Sequence, residues 1–278
     1  MPPDTYLTGI LATHRARAAA DGRLLDELVA QARSAPATRS FAERLSTRTG
    51  GALAVIAEVK RRSPSKGVLD AELDPAEVAA DYEAGGAACV SVLTDAEFFG
   101  GSSADLTAAR AACGLPVLRK DFTVSAADVC DARLMGADAV LLIVAALSDQ
   151  ELANLRTLAQ DLSLDALVEA HDEAEIERAL AAGARLVGVN QRDLTTFEVD
   201  HGRAERLVSS IPGEVVAVAE SGIRGAHDAR RLADSGYQAV LVGESLVRAP
   251  DRRAALRELA GHPIGIRGGA RDAGARRG

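Results

Sequence analysis

The sequence predicts an α/β protein, a (β/α)8 TIM barrel with an N-terminal helical extension. Eight short apolar runs follow one another from residue 53 onward, with starts roughly 20 to 35 residues apart. That spacing leaves room for one helix and two loops per repeat, and eight such units in a row argue for a closed barrel. The runs are rich in Val, Leu and Ala with little polar alternation, as strands of a parallel sheet are when both faces are buried. An open doubly wound sheet would be expected to carry a glycine-rich nucleotide turn after its first strand. Here that strand leads into EVKRRSPSKG, and neither G-x-G-x-x-G nor a P-loop occurs.

In order, the predicted strands are 53–60, 88–94, 116–120, 138–145, 164–169, 185–190, 214–220 and 238–243. The segments between them carry helix signals. Asp74-Pro75 reads as an N-cap with Pro at the first helical position, and Ser148 with Glu151 as a capping box. Gly136 and Gly183 read as C-terminal stops. Ahead of the first strand, Leu7, Ile10, Leu11 and His14 fall on one helical face, as do Leu24, Leu25, Leu28 and Val29 on the next. Phe41 and Leu45 suggest a third short piece. These segments, about residues 4–46, are too short to bury a core alone, so residues 1–261 are expected to form one barrel domain. The stretch 262–278, HPIGIRGGARDAGARRG, has no apolar period and is expected to be a disordered tail.

Composition narrows the function classes. The longest apolar run, Ala139–Leu147, has nine residues, against about 20 for a membrane span, so no membrane role is expected. The first residues lack the basic-then-apolar order of a secretory signal. Three cysteines, Cys89, Cys113 and Cys130, make no disulfide framework and are expected to be reduced in a cytoplasmic protein. A net charge of −8 argues against a nucleic-acid partner. His171 has no second ligand at metal-binding spacing, so no metal is expected. Of 32 Lys and Arg residues only Lys60, Lys66 and Lys120 are lysines. Arg stays protonated at any ordinary pH, whereas Lys can release its proton in a tuned environment, so a lysine kept in an arginine-rich chain is a candidate for proton chemistry.

In a barrel of this kind the chemistry lies at the C-terminal strand ends. The first predicted strand ends with Glu58 and Lys60 on one side, the third with Lys120, the fifth with Glu169, and the sixth with Asn190 followed by Arg192. The seventh ends in Glu220-Ser221-Gly222 and the eighth in Gly243-Glu244-Ser245. Lysines and carboxylates gathered on one mouth should perturb one another, with burial and like charge pushing Lys down and Glu up, the condition for a general acid and base near neutral pH. The last two strand ends read as small residues opening helices, the usual phosphate cradle of these barrels. Phe98, Phe99 and Phe122 stand just beyond strands two and three and suggest an apolar wall for a flat group.

Together these segments (IAEVKRRSPSKG, SVLTDAEFFGGS, LRKDF, ADAVLLIVAAL, LVEAH, GVNQRDL, VAESGI and LVGESL) resemble the indole-3-glycerol-phosphate synthase family of tryptophan biosynthesis, over roughly residues 53–248. The resemblance implies a carboxy-lyase that needs no cofactor. Its substrate is an anionic sugar phosphate, 1-(2-carboxyphenylamino)-1-deoxyribulose 5-phosphate, and its reaction closes the indole ring with loss of CO2 and water. It implies Lys120 as the acid that protonates the substrate carbonyl and Glu169 as the acid/base of the dehydration. It pairs Lys60 with the anthranilate carboxylate, and has Glu58 and Asn190 holding the lysines and sugar hydroxyls. Ser63, Arg192 and Glu220 would support the site, and Ser221, Gly222, Gly243 and Glu244 would form the phosphate end, with Ser245 beside them. Family members often carry Ser where Glu244 stands; a carboxylate beside phosphate would be repelled, so its backbone N–H is the expected contact. A monomer is the expected state. A related isomerase barrel would want a Cys at the first strand end, where this chain has Glu and Lys.

Overall fold

In the computed structural model, residues 6–47, 51–63 and 66–267 are described. Their strands are β1 (Ala54–Val59), the hairpin pair β2 (Arg62–Ser63) and β3 (Gly67–Val68), then β4 (Cys89–Leu93), β5 (Val117–Lys120), β6 (Ala139–Ile143), β7 (Asp165–Ala170), β8 (Leu186–Asn190), β9 (Val216–Glu220) and β10 (Ala239–Val242). All but the hairpin pair in parallel and close a barrel in the order β1-β4-β5-β6-β7-β8-β9-β10, with β10 returning to β1. Each predicted apolar run holds one barrel strand. The runs lack alternation because the interior buries one face and the helix layer the other. Ala54–Val59, Cys89–Leu93 and Ala139–Ile143 are buried at every position.

The helix signals hold as well. Asp74 accepts a hydrogen bond from Ala76 N–H and opens a helix with Pro75 at its start. Ser148 and Glu151 cap each other reciprocally, and Gly136 and Gly183 follow helix ends at positive φ. The extension forms α1 (Tyr6–Ala20), α2 (Leu25–Ser34) and α3 (Phe41–Thr47). One expected face needs correction. Leu24 and Leu25 are 64% and 45% exposed, because the buried stripe of α2 begins a turn later, at Leu28 and Ala32.

The extension runs from one end of the barrel to the other. At the bottom, α3 buries Phe41 and Leu45 completely. Ala42 N–H donates to Asp165 and Arg39 N–H to Asp138, the residue that also holds Val117 N–H and Arg110. A buried carboxylate must be paired in this way, since an unpaired one costs several kcal/mol. At the top, α1 reaches the loops after the strands, where His14 meets Asp95.

Residues 262–267, assigned to the tail from sequence, belong to the barrel. His262 C=O accepts from Leu53 N–H, Ile264 N–H donates to Gly51 C=O, and the Arg267 guanidinium bonds the carbonyls of Gly236 and Pro212. The absence of an apolar period concealed this, because the attachment is made by backbone hydrogen bonds and one arginine. Residues 268–278 lie outside the described residues, as do residues 4 and 5 of the expected first helix.

Candidate active site

Side chains at alternate strand positions point into the barrel, and interior layers are filled from alternate strands. Lys120 and Glu220 end the third and seventh barrel strands and Glu58 and Glu169 stand one residue before the ends of the first and fifth, so they fill one layer at the C-terminal mouth. Lys120 Nζ lies 3.3 Å from Glu169 Oε2 and 3.8 Å from Glu220 Oε2. Lys60, one step above the layer, pairs with Glu58. Asn190 Nδ2 donates to Glu169 Oε1 at 3.0 Å, and its own oxygen accepts from Arg192 N–H. The even strands supply room instead of charge. A Cβ on Gly188 would overlap Glu220 Oε1, and a Cβ on Gly243 would overlap Glu58 Oε1.

In this buried layer Glu220 shifts as the sequence suggests, whereas Lys120 and Glu169 shift the other way. Burial lowers the pKa of Lys120, but the charges of Glu169, Glu220 and Glu58 outweigh it, so Lys120 is raised and not lowered. The balance is decided by distance: carboxylates within 4 Å act strongly where water is excluded. Burial raises Glu169, yet Lys120, His171 and Asn190 stabilise its charge and its pKa falls. Glu220 is pushed well above the usual carboxylate range by burial and by the charge of Glu169, with Lys120 opposing. Its Oε1 is buried without a hydrogen-bond partner among the described residues. The layer thus separates one ionised carboxylate from one that favours its proton, the arrangement needed for acid and base roles side by side.

Above the layer opens a cleft of about 440 Å³, in the range of a small-ligand site. It is lined by every residue singled out from the sequence except Phe98, including Ser63, Phe122, Arg192, Glu244 and Ser245. Phe98 packs edge-on against Tyr6 of α1, 5.8 Å between rings. Its neighbour Phe99 lines the cleft and lies 6.3 Å from Phe122, making the aromatic wall. Both are oriented by Asp95, which accepts from Phe98 N–H and Phe99 N–H and so turns the short helix at Ala96–Phe99.

At the opposite side Ser221 and Gly222 are both at positive φ, 66° and 74°. A Cβ on Gly222 would press on Val199 and His201, 2.6 and 3.0 Å away, so this turn requires glycine twice over. Ser245 Oγ donates to Ile223 C=O, tying the two last loops together. Arg224 and Arg248 line this end and were not distinguishable among so many arginines. Lys66 lines the cleft too, so all three lysines of the chain stand there. Phe197, at positive φ and 4.9 Å from Tyr6, was also missed. It sits in a loop with no sequence signal and is brought to the cleft by Arg192, whose guanidinium donates to its carbonyl.

His14, Asp95 and Asp121 converge beneath the wall, within 4.8 Å of one another. Their carboxylate oxygens are already engaged by the N–H groups of Phe98, Phe99 and Phe122, by Arg119 and by Thr94. That donor-rich surrounding suits a hydrogen-bond network and not a cation.

A family model described as indole-3-glycerol phosphate synthase matches residues 7–259. The indole-3-glycerol phosphate synthase of Streptomyces griseus is 52% identical over 235 residues, 84% of this chain and 86% of that protein. The one from Beutenbergia cavernae is 57% identical over 208 residues, 75% and 77% of the two chains. Among solved structures, a thiamine phosphate pyrophosphorylase from Pyrococcus furiosus superposes with a TM-score of 0.57 at 20% identity. It covers 74% of this chain and 93% of its own, a likeness of fold. No helix among the described residues is long and apolar enough to cross a membrane.

Proposed function

Since the chain belongs to the indole-3-glycerol phosphate synthase family, a family of carboxy-lyases in tryptophan biosynthesis, we propose how its residues share the ring closure. The substrate joins a carboxyphenyl ring to a phosphorylated keto sugar. The flat ring lies against Phe99 and Phe122, its carboxylate toward Lys60, and the phosphate toward the loops holding Ser221, Gly222 and Gly243–Ser245. The backbone N–H groups of those loops and the arginines Arg224 and Arg248 supply the positive field. Glu244 contributes its N–H, since its carboxylate would repel the anion. Ser63, whose hydroxyl is buried without a partner among the described residues, is placed to bond the ligand.

With the two ends held, the carbonyl carbon faces the Lys120 layer. As the ring carbon attacks, the carbonyl oxygen becomes an alkoxide, far more basic than any ammonium. Lys120, kept protonated by its carboxylate neighbours, donates its proton there, and its raised pKa does not prevent a transfer to so strong a base. Loss of CO2 follows, then departure of the hydroxyl as water. Glu169, the ionised member of the layer, takes a proton from the CH2 of the newly closed five-membered ring, beside the carbon that bears the hydroxyl, as that hydroxyl accepts a proton and leaves as water. Glu58 orients Lys60, Asn190 fixes Glu169, and Glu220 keeps Lys120 in place.

The observation that carries this reading is Lys120 Nζ held between Glu169 and Glu220 on the floor of a cleft with an aromatic wall on one side and turn-rich loops on the other. Glu169→Gln tests it, because Gln keeps the shape and loses the titratable group. Followed by the change in fluorescence as the anthranilate-type substrate becomes an indole, kcat is expected to fall by at least about 100-fold. Affinity for a product-like inhibitor should stay within about threefold. Equal losses in both would make Glu169 a binding residue.

A further inference from the structure

His171 follows Glu169 by two residues, so it points to the same side of the β7 strand end. It does not line the cleft. Its surroundings are specific nonetheless. Glu175 Oε2 accepts both the backbone N–H of His171, at 2.7 Å, and a bond from the ring at Nδ1, at 3.0 Å. One carboxylate therefore fixes the ring in both position and tilt. The other ring nitrogen, Nε2, is buried with no hydrogen-bond partner among the described residues and lies 3.6 Å from Glu169 Oε1. We propose that His171 is a positioning residue for Glu169: aimed by Glu175, its Nε2–H faces Oε1 and, with Asn190, leaves Oε2 as the working oxygen beside Lys120. This rests on the acid/base role of Glu169 proposed above.

The protonation of the ring follows from the same contacts. Glu175 takes the Nδ1–H, so a neutral ring would turn the Nε2 lone pair on an ionised carboxylate, and both would be repelled. A second proton on Nε2 converts that repulsion to attraction. The charged groups facing the ring are Glu169 on its own strand, Glu175 on the helix Glu173–Ala181, Arg203 on the helix Arg203–Leu207, and Asp193 in the loop after β8. Burial favours the neutral ring, but Glu175 and Glu169 outweigh burial and Arg203 together, and His171 is raised above an ordinary histidine. The imidazolium in turn helps to hold Glu169 ionised. Such a group sets the pH at which Glu169 becomes a competent base without entering the reaction.

The pH profiles of kcat and KM for His171→Gln and Glu175→Gln, beside Glu169→Gln, test this. An opposite charge at about 4 Å holds a carboxylate down by roughly one unit or more. Removing the imidazolium raises the Glu169 pKa, so the acid limb of kcat should move up by about one pH unit in His171→Gln. Glu169 stays ionised near neutrality after such a shift, so the fall of about tenfold in kcat expected there reads the lost positioning of Oε1, with KM within about threefold. Glu175→Gln, which leaves the ring in place, should move the limb in the same direction by less, and it still reads the limb should His171→Gln fail to fold. Both variants keeping the wild-type limb and kcat while Glu169→Gln is crippled would overturn this inference alone. Glu169→Gln with wild-type kcat would overturn the assignment beneath it, and the inference with it.

Discussion

At the scale of single residues, the site is built as much from missing side chains as from charged ones. The strand-end lysines and carboxylates were legible in the sequence because lysine is so rare in this chain and because strand ends are where barrels keep their chemistry. The reason for Gly243 was not. Read from sequence it belongs to a phosphate turn. In the structure its lack of a Cβ also leaves space for the Glu58 carboxylate, and Gly188 does the same for Glu220. Neither glycine is at positive φ, so the requirement is for space, which depends on partners far away in sequence. A consequence is that Gly188→Ala should leave the circular dichroism spectrum unchanged while kcat falls by more than about tenfold. The added methyl displaces Glu220 and with it the seat of Lys120, and a shift of about 1 Å can cost on the order of 100-fold. Wild-type kcat in Gly188→Ala would show that the position of Glu220 is not critical. The direction of the Lys120 shift was equally out of reach, because it depends on three carboxylates whose distances the sequence does not hold.

At the scale of elements, strand and helix order was legible from apolar runs and caps, while the path of the extension was not. Periodicity placed α1 as an amphipathic helix on the barrel, but nothing in the spacing of Leu7, Ile10 and His14 says that it crosses the mouth. His14 Nε2 lies 3.0 Å from Asp95, and its ring is 5.4 Å from Phe122, so α1 braces the aromatic wall from behind. Tyr6 touches Phe98 and Phe197 from loops on two sides of the cleft. His14→Ala removes a buried partner of Asp95, a loss of about 1 to 3 kcal/mol and on the order of 2 to 10 °C in melting temperature. With the wall loosened, substrate KM should rise several-fold more than kcat falls. A variant that loses stability with KM unchanged would confine α1 to a structural part.

At the scale of the whole molecule, the residues just before β1 and the last described residues together close the bottom of the barrel. Residues 51–53 pair with 261–264, and Arg267 reaches four acceptors between Ile211 and Gln238. The segment looked like a tail from sequence because glycine- and arginine-rich composition carries no periodicity. Backbone pairing to a distant segment leaves no local trace. Truncation after Arg267 should therefore leave melting temperature and activity nearly unchanged, whereas truncation after Gly261 should lower the melting temperature by several degrees with kcat kept, since the active face lies at the other end. Equal melting temperatures for the two truncations would show that the anchoring is of no consequence.

On this reading Lys120 delivers a proton and does not merely balance charge. In a chain that uses arginine nearly everywhere, a counter-ion at this place would as readily be Arg, whose fork binds anions at two points. Arg cannot give up its proton, its pKa staying above about 12. The most direct measurement is kcat and KM for Lys120→Arg beside Lys120→Met, both checked for fold by circular dichroism. General acid catalysis is typically worth about 100- to 10,000-fold, so both variants are predicted to lose at least about 100-fold in kcat with KM changed far less. Lys120→Arg retaining more than about a tenth of the wild-type kcat would contradict the account and leave Lys120 a counter-ion.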